Sequence, residues 1–320
     1  MMGYCSFIDW IQGYPEVKAE ITKQLEDTCY GDKFEVWDIT WSDNLGAYNF
    51  EAKDVTRNIT EGGSYFPKTN TLYANGFMWS VVSGQWRDIF KPYIEKVSNN
   101  YLIIGGVGTQ DPVDYKKYKI DYRKQALHNL FSMEDIKVSK GLAKDHNSIQ
   151  AYISIFVEVP ENAQGIYQTL QVITAINNKL KSYHLYSYRL TVTTYTVPQG
   201  FNISKYFDEV SPGFHTSYAW YFEEGIQKYA WGYFDVRGCM PTDAFEKYCN
   251  TYKEVNNPNK LDTELIKQYT LANRLNTIDN VMSEFRLVDN VGEPDKCTKS
   301  GNCYAQWDVN SRAHKHLKDS

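Results

Sequence analysis

The chain of 320 residues carries 39 acidic against 34 basic side chains, a formal net charge of -5, with no long run of one sign. That balance offers no attraction for phosphate backbones and excludes nucleic acid as an expected partner. A hydrophobic fraction of 42% and an aromatic fraction of 15% exclude intrinsic disorder, and this length suffices for a hydrophobic core in one large domain or two ordinary ones.

Met1 to Ile11 is too short and too polar for the apolar region of a signal peptide, and no stretch approaches the roughly 18 apolar residues of a membrane-spanning helix. Cys5 invites a lipid-anchor reading, but Tyr4 is bulky where such a site wants a small residue. From Pro15 to Thr28, Val17, Ile21 and Leu25 recur among polar residues, which predicts an amphipathic helix opened by proline. Phe34 to Trp41 alternates, Asp43-Asn44-Leu45-Gly46 turns, and Ala47 to Val55 returns, the pattern of a hairpin with aromatics on both arms. Thr56 to Asn70 is rich in Gly, Ser, Thr and Asn and reads as an exposed loop, and Tyr73 to Val82 as a third strand. Gln85 to Val97 places Trp86, Ile89, Phe90, Tyr93, Ile94 and Val97 on one helical stripe, and Tyr101 to Val107 is an apolar run expected to form a central strand. Helix, hairpin and strand together would make this first third a self-sufficient α+β layer.

Gly105-Gly106-Val107-Gly108 lacks the third glycine and following helix of a dinucleotide site, since Asp111-Pro112 comes next, so a tight turn explains it. Lys116, Lys117, Lys119, Arg123 and Lys124 alternate with Tyr115, Tyr118 and Tyr122, the composition of a wet surface. Ile149 to Val159, Ala163 to Lys181 and Leu185 to Val197 read as strand, helix and strand. Beyond Pro198, Tyr218 to Glu223 and Lys228 to Val236 flank Glu224-Gly225 as an aromatic hairpin. Pro241 to Tyr252 and Leu261 to Phe285 read as helices, and Asn310 to Ser320 as a charged, frayed tail.

The six cysteines form sequence-local pairs, Cys239 with Cys249 and Cys297 with Cys303, leaving Cys5 with Cys29 by arithmetic. Zinc ribbons need tighter knuckles or a paired histidine, whereas these spacings close easily as disulfides that would hold the C-terminal region in an oxidising compartment, with free buried thiols as the alternative. Disulfides without a signal segment imply a mature or truncated chain, which leaves membrane anchoring through a missing N-terminus open. The histidines His128, His146, His184, His215, His314 and His316 are scattered, and no signature of a nucleophile elbow, zinc protease or P-loop occurs. The pairs Glu223-Glu224, Asp208-Glu209 and Glu134-Asp135 read as surface residues, because adjacent carboxylates on a strand point to opposite faces. No catalytic residue, metal site or cofactor is expected.

The expected fold is α+β, with mixed or antiparallel sheets and helices on one face. It comprises two similar-sized units, 1–110 and 111–320, plus a disulfide-stapled helical C-terminal region. Helix, aromatic hairpin, loop, helix and strand from Pro15 to Val107 resemble the arrangement in small bacterial envelope lipoproteins of unknown role, and a stapled Tyr-rich chain is similar to periplasmic immunity proteins. The resemblance implies a periplasmic or cell-envelope location and an inhibitory protein that covers another protein's surface; it names no functional residue. The alternative is a glycan-binding protein or carbohydrate-active hydrolase using exposed aromatics and a carboxylate pair. The interaction surface is expected at the loop Thr60 to Thr71, with Tyr65 and Phe66, and at the aromatic hairpin, with Tyr218, Trp220, Glu223, Glu224, Trp231 and Tyr233.

Overall fold

The computed structural model describes residues 13–29, 31–74, 76–109, 126–132, 149–210, 219–239, 277, 279–280, 286–288, 291, 305–308 and 310–311. They form an α+β protein with a four-stranded and a six-stranded sheet. Two compact units emerge. One holds the described residues of Met1–Ser83 and Lys119–Leu127, the other those of Gly84–Tyr118 and His128–Ser320, so they are unequal in length.

In the first unit, α1 (Pro15–Thr28) follows the expected bounds and buries Ile21 and Leu25, each contributing roughly 1.5–3 kcal/mol by leaving water. Its sheet has the order β1 (Phe34–Ser42), β2 (Ala47–Asp54), β3 (Ile59–Phe66), β4 (Thr71–Tyr73), all antiparallel. Phe34, Val36, Tyr48, Phe50, Ala52 and Tyr65 pack with Ile21, Leu25 and Phe77 into one core. The expected hairpin is present as β1 and β2. The expected loop instead contains β3, and β4 follows it. Its glycines hid the strand, and packing explains one of them: a Cβ on Gly63 would lie 2.5 Å from the Phe50 ring and 2.8 Å from the Tyr73 carbonyl oxygen. Beneath the sheet's rim, Arg57 Nε donates to the buried Asp32 at 2.7 Å and lies 3.8 Å from the buried Asp54.

The unit boundary falls inside α2 (Gly76–Ile94). Of the segment expected as a third strand, Tyr73 ends β4 and Gly76 to Val82 belong to this helix, whose buried positions Phe77, Val82, Trp86, Phe90 and Ile94 fall four or five residues apart rather than at every second residue.

The second unit's sheet has the order β5 (Tyr101–Thr109), β6 (Ile149–Glu158), β7 (Ser187–Tyr195), β8 (Ala230–Cys239), β10 (Ala305–Asp308), β9 (Arg286–Val288). A short α3 (Ala126–Ser132) precedes β6. The anticipated strand-helix-strand unit is β6, α4 (Ala163–Lys181) and β7, with β6 and β7 parallel as a helical crossover requires. Among the described residues β5 pairs only with β6 and stands at the end of this order, not centrally and not with the first sheet; the three glycines lie within the strand, not in a turn beyond it.

One face of the sheet carries Ile103, Ile153, Ile155, Leu190 and Val192, all buried. Here Tyr188 donates its hydroxyl to Asn177 of α4 and Trp86 of α2 donates to the Tyr152 carbonyl. On the other face, Phe156 and Tyr195 pack with Phe207 of α5 (Ile203–Val210) and with Phe222 and Ile226 of α6 (Ala219–Ile226). Asn100 ties this layer together: its amide donates to Glu158 and the Phe201 carbonyl, and its oxygen accepts from the Ile203 N–H at the start of α5.

The expected aromatic hairpin is therefore corrected. Its first arm is α6, because Phe222 and Ile226 at i and i+4 find a helical burial face. Gly225 is a contact point rather than a turn, since a Cβ there would lie 1.9 Å from the Tyr206 hydroxyl. The basic stretch 116–124 and the helices read at 241–252 and in most of 261–285 lie outside the described residues, as does the tail beyond 311. Each expected disulfide involves a residue outside them too: Cys5 for Cys29, Cys249 for Cys239, and both Cys297 and Cys303.

Candidate functional site

The surface with the clearest contact character is the outer face of the four-stranded sheet. Alternation along β1 turns Phe34 and Val36 into the core and Glu35 and Trp37 outward. Trp37 stands opposite Glu51, which stands opposite Gly62; a second row runs Asn49, Ser64, Tyr73, with Thr40 opposite Asn49. Trp37 and Tyr73 keep 37% and 58% of their surface exposed, large values for such side chains in regular strands. Phe66 meets the Tyr73 ring edge-on at 5.3 Å.

The middle of this face is small and polar. Ser64 donates its hydroxyl to Asn49 at 2.8 Å, and the Glu51 carboxylate lies over Gly62, where a Cβ would come within 3.2 Å of it. Two aromatic edges thus flank a hydrogen-bonding centre. A bulge between Trp37 and Thr40, with Asp38 in the left-handed region at φ 50°, bends the edge strand beside Trp37. Burial raises the Glu51 carboxyl above its ordinary value, and the charges of Asp38 and Glu61 raise it further. Such a face can stack on and hydrogen-bond a partner.

The anticipated site residues are dispersed. Tyr65 is buried in the first unit's core, and its hydroxyl donates to Asn70; Phe66, one residue on, belongs to the outer face. Trp231 is core, stacked on Trp307 at 5.3 Å with an interplanar angle of 6°. Tyr218 lies outside the described residues, as does the side chain of Trp220, whose backbone is in α6.

Tyr233 belongs to a polar cluster of the second unit, with the Glu223 carboxyl in range of the Arg189 charge; Glu223 and Glu224 are both exposed. Arg189 donates to both Asp235 oxygens at 3.0 and 2.8 Å and to the Tyr233 hydroxyl at 3.3 Å; next to it, Thr191 donates to Ser154 at 2.8 Å. Burial alone would lower the Arg189 pKa, but hydrogen bonds and charge from Asp235 outweigh it and hold the guanidinium above its ordinary value. Crowding raises the Glu223 carboxyl while Arg189 opposes the rise; the residue's surface remains exposed, so water screens both effects. This Arg–Asp fork organises the sheet face internally. Sequence reading missed Arg189 and Asp235 because their alignment depends on β7 pairing with β8.

No protein-family model matches the sequence, and no curated protein matches it. Among solved structures, the chain is similar to a DUF5037 family protein from Ruminococcus gnavus ATCC 29149. The likeness has a TM-score of 0.41 and 15% identity, over 71% of this chain and 93% of that one. Among the described residues no helix is long and apolar enough to cross a membrane, and no group of three or more His, Cys, Asp or Glu could hold a metal ion.

Proposed function

We propose that the chain is an extracytoplasmic binding protein of the bacterial envelope that recognises another protein through the outer face of its four-stranded sheet and acts by covering that partner's surface. The observation that carries this reading is the exposure of Trp37 and Tyr73 on regular strands around the polar centre of Asn49, Glu51 and Ser64. Exposed tryptophan and tyrosine next to satisfied polar groups are the composition of interface hot spots. With Glu35, Asp38 and Glu51 against Lys53 on and beside this face, the partner presents basic residues. An even count of six cysteines supports the location.

The test is capture of a partner from the native envelope by wild-type protein and by a Trp37→Ala/Tyr73→Ala double variant. A protein retained by the first and lost by the second, with unchanged thermal midpoints, is expected; equal retention overturns the assignment of this face. For the location, alkylation of natively purified, unreduced protein should leave most cysteines unlabelled, and six labelled thiols would overturn it.

A second reading, glycan binding or glycan hydrolysis, draws on the Trp37 indole standing opposite Glu51, since aromatic faces stack on sugar rings and carboxylates accept their hydroxyls. Binding of an oligosaccharide array, abolished by Trp37→Ala, would favour it.

A further inference from the structure

The second unit carries a groove of about 600 Å³ between α4 and the C-terminal end of α2, away from both surfaces described above in sequence and in element. Along α4, Tyr167, Gln171, Thr174 and Asn178 recur at helical spacing and line it, while Ile166, Ile173, Ile176 and Leu180 form the buried stripe of the same helix. α4 therefore has two faces, one packed into the core and one lining a concavity.

Tyr93 and Tyr167 are among its lining residues, and Val97, Leu170, Val172 and Ala175 supply its apolar surface. Volume and lining fall within the range of small-molecule sites, which are mostly apolar with a few placed polar groups. Lys96 is the one charged residue among those that line it, and its ammonium lies 5.9 Å from the centre of the Tyr93 ring.

Neighbouring charges are already engaged. Lys91 pairs with Asp88, and Glu95 accepts from the Tyr101 hydroxyl. Among the described residues no carboxylate pairs with Lys96. A largely apolar concavity lined by two tyrosines, with one cation among its lining residues and no carboxylate paired with it among the described residues, is complementary to one kind of occupant.

We infer that the groove between α2 and α4 binds a small organic acid, with its apolar body between Tyr93 and Tyr167 against Leu170 and Ala175 and its carboxylate on Lys96. Gln171, Thr174 and Asn178 supply the hydrogen bonds along the solvent side. The site is independent of the protein-binding face proposed for the first unit.

Calorimetric titration of the full chain with 4-phenylbutyrate and with its uncharged amide tests the inference. The acid is expected to bind with a dissociation constant below about 1 mM, and the amide about fivefold more weakly, the value of one partly solvated charge pair. Lys96→Met should reduce the acid's affinity to that of the amide without moving the thermal midpoint, because Lys96 is exposed. Ala175→Trp should abolish binding of both by filling the groove; should that variant fail to fold, the Lys96 comparison still decides. Absence of binding up to about 10 mM, equal affinity for acid and amide, or full affinity in Lys96→Met would each overturn it. Trp37→Ala should leave this binding unchanged, which separates failure here from failure of the protein-binding face.

Discussion

The two sheets solve the same burial problem differently. The four-stranded sheet buries one face against α1 and leaves aromatic residues on the other, with Trp37 and Tyr73 still exposed. The six-stranded sheet buries apolar residues on both faces: Ile153, Leu190 and Val192 on one, and Phe156 and Tyr195 on the other, beneath α5 and α6. Packing on both faces of the larger sheet still leaves Tyr152 and Arg189 exposed at one end, whereas the smaller sheet keeps Trp37 and Tyr73 exposed on the face opposite its core. The proposed contact surfaces accordingly lie on the smaller unit's outer sheet face and on the helical flank of the larger one.

The sharpest way to break this contrast is at the ion cluster that closes the smaller sheet. Arg57→Ala should destabilise the first unit by about 3–5 kcal/mol, because Asp32 and Asp54 would be left buried without their cation. Urea unfolding followed by tryptophan fluorescence measures it. Burial raises the Asp54 carboxyl above its ordinary 3.8; hydrogen bonds from backbone N–H groups and the Arg57 charge oppose that rise, while the Asp32 charge adds to it. A carboxyl whose pKa is higher folded than unfolded holds its proton more tightly in the fold, so stability declines as pH rises from 3.8 through the folded value. Removing Arg57 extends that window upward. The variant's deficit should therefore be largest at neutral pH and shrink on acidification, and a pH-independent deficit would contradict the role given to Arg57.

In the larger unit, Phe222→Ala should cost about 3–5 kcal/mol by opening a cavity among Phe156, Tyr206 and Phe207, measured by the same unfolding curves. Asn100→Ala removes two donated bonds and one accepted bond joining β5, β6 and α5, and should cost about 2–3 kcal/mol, with hydrogen exchange rising first at Ile203. The smallest expected effect on stability is the most informative. Trp37→Ala should change it by less than about 0.5 kcal/mol while weakening partner binding by 2 kcal/mol or more, roughly thirtyfold. A large loss of stability there would mean that the outer face is core rather than contact surface.

Several elements were legible along the chain because local chemistry and tertiary environment agree. Pro15, Val17, Ile21 and Leu25 specify α1, and the alternation of Phe34 and Val36 with Glu35 and Trp37 specifies both β1 and the outward direction of Trp37. Two segments were misread for opposite reasons. Ile59 to Phe66 looks like a loop because it is polar and contains two glycines, yet one of them, Gly63, lets the Phe50 ring and the β4 backbone approach closely. Ala219 to Phe222 looks like a strand because aromatics alternate there, yet it is a helix whose burial rests on Phe222 and Ile226 meeting α5 and β6.

Of the candidate contact surface, only Phe66 stood out in sequence; Tyr73, Asn49 and Ser64 share a face through antiparallel register, a relation between strands that no single strand encodes. Hydrophobic periodicity and turn chemistry, being properties of neighbours in the chain, determined the fold class, the first helix, the first hairpin and the β6–α4–β7 unit. Strand order, the choice of which sheet face stays uncovered, and the groove beside α4 depend on contacts between residues far apart in sequence. Those were decided only where the distant surfaces met.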